Sequence, residues 1–209
     1  MVGVGIGEQL RLALKEMEEL NELREEAMRN SRKWISTARE SILRSREMRD
    51  LKAIEKKLFD VLKEVKEFLE EARLKLGHQS CVINSVLQDP LQEIVEGIAL
   101  CKLLRGEKVP SHIELGVSAR EYLLGVSDAV GELRRVALHR MKEGDVDKVE
   151  ELIEIMEEIY EVLNSAALPD SLIPLRRKAD ESRLLLEKTL SEVIFVKTSR
   201  RCEIGGNEE

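Results

Sequence analysis

Apolar residues recur at three- and four-residue spacing through every long segment of this chain. The clearest example runs from Asp50 to Leu76, where one face is apolar and the opposite face carries Glu and Lys. Such spacing buries one side of a helix, and no segment shows the pattern of a β-strand. The sequence therefore predicts an all-α fold of six or seven helices in an antiparallel bundle. We expect one domain over residues 1–209, with a tail that frays from about residue 199.

The cysteines and the hydropathy pattern restrict the setting in which this chain works. Three cysteines are an odd number without C-x-x-C spacing, which argues against a disulfide framework or a zinc site. We expect reduced thiols and a cytoplasmic protein. No apolar run approaches the ~20 residues that span a bilayer, so no membrane partner is expected.

The stretch from Glu121 to Asp147 is predicted to form one helix and the turn that ends it. Ser118 and Glu121 have the S-x-x-E spacing of a capping box, and Gly144 is a helix stop. A second, partly polar stripe lies beside the apolar one, and it includes Asp128 and Glu132. A carboxylate near a packed helix face costs free energy unless a partner, a metal ion or water satisfies it.

A second pair of carboxylates lies in the preceding helix, which we expect to have Asp89 as its cap and Pro90 at its first helical position and to end at Leu104. Glu93 and Glu96 are three residues apart and therefore share a face. If the two helices pack side by side, four carboxylates converge, and a cation or protons must neutralise them. Oxygen ligands without Cys or His favour Mg²⁺ or Mn²⁺. Such an ion can orient a phosphodiester, activate water and stabilise the leaving oxygen.

Two other interpretations of these residues stay open. The acids could form a salt-bridged core network, with Arg135 as a partner. His139 lies about two turns beyond Glu132, and an RNA or interface contact is favoured for it over a metal ligand.

The charge of the chain is unevenly distributed, although the formal net charge is −7. Eleven basic and six acidic residues lie between Arg24 and Lys57, whereas residues 145–161 contain eight acids and one lysine. Basic ends can present one sign of charge on one surface, which favours an RNA-binding role, although solvated helix faces would look the same. The residues predicted to contact phosphates are Arg29, Arg32, Lys33, Arg39, Arg176, Arg177 and Lys178.

Several motifs resemble the translin family, and in particular its branch called translin-associated factor X. The match is dense at residues 121–128, 131–135 and 144–147, and it includes Leu91, Gln92, Glu93, Val95 and Glu96. Residues 24–42 and 175–180 are similar to the first and last family helices, but more loosely. Family members often place a histidine near the end of the first helix, where this chain has Leu43 and Arg44.

The resemblance implies a fold, an assembly and an activity. The factor X branch supplies the acidic endoribonuclease site of a hollow helical oligomer, the component 3 promoter of RISC. By resemblance, Glu93, Glu96, Asp128 and Glu132 would be catalytic and hold Mg²⁺ or Mn²⁺, with Asp128 and Glu96 as the main ligands. A homo-oligomer, an octameric closed shell, is expected, with single-stranded or short duplex RNA as its partner and single-stranded DNA as a further ligand. The competing hypotheses are a non-catalytic translin-like nucleic-acid-binding protein and a purely structural bundle.

Overall fold

The structure is a computed structural model that describes the backbone of residues 5–205 and the side chains of residues 5–198. This part of the chain contains eight α-helices, one short 3₁₀ turn at Gly77–Ser80 and no strand. The all-α prediction is therefore confirmed. The helices are α1 (Ile6–Ser45), α2 (Leu51–Leu76), α3 (Cys81–Val86), α4 (Gln88–Leu104), α5 (His112–Leu115), α6 (Ala119–Glu143), α7 (Val146–Asn164) and α8 (Leu175–Gly205). Seven of them have six residues or more.

Helix α4 forms the centre of the bundle. It packs against α1, α2 and α6, while α6 also contacts α7 and α8. Every residue from Ile94 to Cys101 is buried, and Glu96 is the one charged residue in this run. Burying apolar surface is the main force that folds such a bundle, so an ionisable residue within the most buried part of α4 is costly.

The ends of α6 largely match the predicted signals. Ser118 is the N-cap, and its hydroxyl accepts a hydrogen bond from the backbone N–H of Arg120 at 3.2 Å. The predicted capping box is only partly formed, because the Glu121 carboxylate bonds the Ser118 hydroxyl instead of the backbone N–H. Gly144 ends the helix with a φ of 83°, a left-handed conformation that glycine adopts without strain.

Helix α4 starts two residues earlier than predicted. Its first residue is Gln88 and its N-cap is Leu87, so Asp89 is not the cap. Only Leu87 separates α3 from α4, and the chain therefore turns into α4 before the Asp-Pro signal. Pro90 is tolerated because the N–H groups of the first helical turn have no partner within the helix.

The last helix and the first helix both extend further than the bundle. Helix α8 passes its predicted end near Val196 and the predicted fraying point, because no glycine or proline stops it before Gly205. Residues 206–209 lie outside the described residues.

At the other end, residues 6–19 of α1 are exposed on all sides, and we call this segment the N-terminal arm. Of the predicted stripe of Leu10, Leu14, Met17 and Leu20, only Leu20 is buried within this chain.

Within the described range, none of the helices combines the length and the apolar character needed to cross a bilayer.

Candidate functional site

The four predicted acids lie on the two helices that pack most extensively against each other, α4 and α6. The condition under which the sequence predicted that the four carboxylates converge is therefore met. Gly125 makes this close approach possible, because a Cβ atom there would lie 2.6 Å from the Gln92 carbonyl oxygen. Glu93 and Glu96 therefore face Asp128 and Glu132 across a narrow gap, and all three neighbours act electrostatically on Glu96.

Asp128 is held by two other helices. Its Oδ2 accepts a hydrogen bond of 2.5 Å from Nε2 of Gln92 on α4. Its Oδ1 accepts one from the ammonium of Lys178 on α8. Because both oxygens are engaged, the carboxylate has a fixed orientation at the junction of α4, α6 and α8.

Glu132 is buried between two arginines. Nε of Arg46, just beyond the end of α1, lies 2.5 Å from Oε2, and Nη1 of Arg135 lies 2.8 Å from Oε1. The expectation that Arg135 could pair with the cluster thus agrees with the structure. Each oxygen of this buried carboxylate therefore has its own charged hydrogen-bond donor.

Glu93 connects the cluster to the basic face of α1. Its Oε1 accepts from Nε of Arg39 at 2.8 Å and from Nη2 at 2.5 Å. The hydrogen bond and the charge of Glu93 raise the pKa of Arg39. The Arg39 side chain is 67% exposed against 19% for Glu93, so this ion pair lies at the solvent edge of the cluster.

Glu96 differs from the other three acids. Its relative exposure is 9%, and it makes no hydrogen bond or ion pair with any described side chain. Burial raises its pKa to about 8, and the charges of Asp128, Glu93 and Glu132 add to the shift, while Lys178 opposes it. A buried carboxyl surrounded by three carboxylates lacks only a cation, which makes it the best candidate ligand of the site.

The cluster is not arranged as a finished metal site. Among the described side chains, no three of His, Cys, Asp and Glu are placed to hold a metal ion as they stand. Three of the four carboxylates already have side-chain partners instead. These partners are arginines for Glu93 and Glu132, and a lysine and a glutamine for Asp128. The donor set nevertheless fits a hard divalent ion, since it consists of carboxylate oxygens with one member that lacks a partner.

The predicted phosphate-binding residues divide into two groups. Arg29, Arg32 and Lys33 are exposed on α1, and Nζ of Lys33 lies 3.7 Å from Glu64. Arg176 and Arg177 are exposed at the start of α8. Lys178 and Arg39 instead contact the acidic cluster. His139 is exposed, with Nε2 3.5 Å from Glu143, and it is not a member of the cluster.

Three residues of the cluster were not assigned to it from the sequence. Gln92 belongs to the family-like motif but was not given a role, and Arg46 follows the end of α1, where no motif marks it. Lys178 was placed on the basic surface. The sequence did contain a partial indication for Lys178. Consecutive residues of a helix point about 100° apart, so Arg176, Arg177 and Lys178 cannot all lie on the same side of α8.

Comparisons with known proteins agree with this architecture of a helical bundle. The family model described as the Translin family matches residues 15–190. The chain therefore belongs to the Translin family.

Three solved structures are similar over nearly the whole chain. The crystal structure of AfC3PO gives a TM-score of 0.79 at 33% identity and covers 92% of this chain and 98% of that chain. The structure of an AfC3PO–duplex RNA complex gives 0.76 at 33% identity, with the same coverage. The crystal structure of apo-NeC3PO gives 0.78 at 25% identity, covering 90% of this chain and 96% of that one.

A curated relative is an uncharacterized protein of Methanocaldococcus jannaschii. It is 36% identical over 131 residues, which is 59% of this chain and 59% of the relative. The match thus spans somewhat over half of that relative's length.

Proposed function

We propose that this protein is a metal-dependent endoribonuclease that uses Mg²⁺ or Mn²⁺ at the acidic cluster, as in the factor X branch of its family. The observation that carries the proposal is Glu96: a buried carboxyl, 9% exposed, that faces three other carboxylates and has no cationic partner among the described side chains. An apolar residue at this position would make the folded state more stable, because an unpartnered buried acid destabilises it. The presence of a glutamate therefore points to a functional role.

The proposed metal ligands are Glu96 and Asp128, with Glu93 and Glu132 completing the set. A divalent ion held there would orient a phosphodiester and lower the pKa of bound water. Arg46 and Arg135 hold the Glu132 carboxylate in place from both sides. Glu132 is thereby suited to support the ligands, and Glu93, at the solvent edge, is suited to accept a proton from the attacking water.

RNA binding is proposed at the exposed arginines of two helices, Arg29 and Arg32 on α1 and Arg176 and Arg177 at the start of α8. One support is that a relative at 33% identity has a structure in complex with duplex RNA. Another is that Arg39 belongs both to the basic face of α1 and to the acidic cluster, through its contact with Glu93. RNA bound along α1 would therefore lie next to the proposed reaction site.

Assembly into a closed homo-oligomer, an octamer in our proposal, would use the N-terminal arm. Its apolar side chains Ile6, Leu10, Leu14 and Met17 are each more than half exposed in the single chain. A helix face of this kind is stable in water when another helix covers it.

A second candidate is a translin-like protein that binds single-stranded RNA or DNA without cleaving it. The observation in its favour is that Asp128, Glu132 and Glu93 are already neutralised by Lys178, Arg46, Arg135 and Arg39. A fully paired network needs no metal ion. Under this alternative the acids stabilise the bundle, and the basic face binds nucleic acid by itself.

The deciding experiment measures cleavage of a labelled single-stranded RNA and of a short duplex with Mg²⁺, with Mn²⁺ and with a chelator. We expect metal-dependent products from the parent protein, and a loss of several orders of magnitude in Glu96→Gln and Asp128→Asn with RNA affinity retained. Glu121→Gln is a matched control, because Glu121 is a buried glutamate of α6 that contacts Ser118 outside the cluster. RNA binding without cleavage under all three conditions would establish the second candidate instead.

A further inference from the structure

Lys178 places an ammonium group inside the acidic cluster. It comes from α8, its side chain is 15% exposed, and its Nζ bonds Oδ1 of Asp128. The remaining contact of this ammonium within 4 Å is Oε2 of Glu181 at 3.5 Å, three residues further along α8. Glu181 is 51% exposed, so the second partner of Lys178 lies towards solvent.

Each oxygen of Asp128 already accepts one hydrogen bond. Gln92 donates to Oδ2 at 2.5 Å and Lys178 to Oδ1. An ion that binds Asp128 through the remaining lone pairs would lie next to both donors. The glutamine amide is neutral and can stay in place, whereas the lysine is a cation that a divalent ion would repel. Electrostatics thus favour the exchange of Lys178.

We propose that Lys178 is an internal counter-ion of the proposed metal site, which a divalent cation displaces from Asp128 towards Glu181. The inference rests on the proposed function and assigns Lys178 the role of a positioning residue. Its ammonium holds the Asp128 carboxylate in one orientation until the cation arrives. The long flexible side chain of lysine suits this exchange better than the planar, bidentate guanidinium of arginine.

The two arginines on Glu132 provide the contrast within the same cluster. Arg46 and Arg135 each hold a different oxygen of this buried carboxylate. Removing one of them leaves the other in place, so Glu132 remains paired. Lys178 is instead the single cation on Asp128 among the described residues.

The test measures Mn²⁺ binding by counting free Mn²⁺ with electron paramagnetic resonance at fixed pH and ionic strength. The parent should bind Mn²⁺ saturably, and Asp128→Asn should abolish this binding. Lys178→Met should bind Mn²⁺ about tenfold more tightly, because no charge has to be displaced. Arg135→Met removes one positive charge next to the same cluster, but from a 58% exposed group, and should change the affinity by about twofold or less.

Lys178→Arg supplies a variant that keeps the charge and the fold. Its guanidinium should hold Asp128 more firmly and weaken Mn²⁺ binding. Thermal unfolding gives a second measurement: the rise in Tm caused by Mn²⁺ should be larger in Lys178→Met than in the parent and smaller in Lys178→Arg.

The outcomes separate the two proposals. Displacement is wrong if the parent binds Mn²⁺ through Asp128 but Lys178→Met binds no more tightly than Arg135→Met, or if Lys178→Arg matches the parent. The proposed function itself fails if neither the parent nor any variant binds Mn²⁺ in a way that depends on Asp128.

Discussion

Gly125 of α6 lies directly against the backbone of Gln92 of α4. A Cβ atom at position 125 would be 2.6 Å from the Gln92 carbonyl oxygen and 2.9 Å from Cβ of Val95. Both contacts are too short for any real side chain. Since Gln92 also bonds Asp128 through its amide, the absence of a side chain at 125 fixes the distance across which the two halves of the acidic cluster meet.

Gly125→Ala should therefore separate α4 from α6. We expect a loss of stability of about 1–3 kcal/mol, because backbone atoms must shift to admit the methyl group. Gly131→Ala is the matched control on the same helix, since its Cβ would meet only Cδ1 of Leu185 at 3.9 Å. Alanine is about 1 kcal/mol better than glycine within a helix, so this variant should be as stable as the parent or more so. Denaturant unfolding measures the stability of both variants. If Gly125→Ala is as stable as Gly131→Ala, Gly125 does not set the distance between α4 and α6.

The pKa of Glu96 predicts how stability depends on pH without metal. The folded pKa is raised from 4.5 to about 8, so between these values the folded state holds a proton that the unfolded state has lost. Stability should therefore fall as the pH rises from about 4.5 to about 8, by at most about 1.4 kcal/mol for each pH unit from this group. Glu96→Gln should remove this contribution and be more stable than the parent at pH 8 and above.

Glu55→Gln is the control for that measurement. Glu55 is as buried as Glu96, at 9% exposure, but it pairs with Arg105 and with Lys102, the latter at 3.0 Å. Its replacement should destabilise the protein by about 1–3 kcal/mol because Arg105 and Lys102 lose a charged acceptor. If Glu96→Gln lowers the stability of the protein as Glu55→Gln does, Glu96 has a partner that stabilises its charge.

The exposed arginines of α1 predict the salt dependence of RNA binding. Removing Arg29 or Arg32 should weaken binding of unrelated RNA sequences to a similar extent and reduce the salt slope by about one unit for each lost phosphate contact. Lys108→Ala, an exposed lysine in the segment between α4 and α5, should leave both quantities unchanged. Arg39 is less suitable for this test, because its replacement also releases Glu93. Unaltered affinity and slope in the Arg29 and Arg32 variants would show that RNA binds elsewhere.

The N-terminal arm predicts a change of assembly without a change of fold. Leu10→Ser with Leu14→Ser removes two exposed apolar side chains, at 58% and 61% exposure, that touch no core cluster. We expect a smaller oligomer by light scattering, with the helical content of the bundle retained. Leu74→Ser, at a leucine that is 79% exposed on α2, should leave the oligomer intact. A parent protein that is monomeric at micromolar concentration would exclude the proposed shell.

Periodicity and capping residues were sufficient to predict the helices, because both are local properties. Ser118 and Gly144 bound α6 as expected. The predicted start of α4 was wrong by two residues because it depends on how α3 joins it, which the Asp-Pro signal does not encode. The pairing of α4 with α6 was anticipated from their acids, but the glycine that permits it was not recognised as a contact point.

The partners of the acids could not be predicted, since they come from helices distant in sequence. Lys178 looked like part of a basic run with Arg176 and Arg177, and only the packing of α8 on α6 turns it towards Asp128. For the same reason, the sequence did not show that repulsion among the acids acts mainly on Glu96. Asp128 already has Lys178 and Gln92 as donors.

The origin of Lys178 in the last helix also affects how the protein is made. A chain leaves the ribosome from its N-terminus, so Asp128 is synthesised 50 residues before the lysine that neutralises it. Until α8 emerges, Asp128 lacks this counter-ion, whereas the arginines that pair with Glu93 and Glu132 have already been made. The charge pairing of the cluster is therefore completed only when translation is nearly finished.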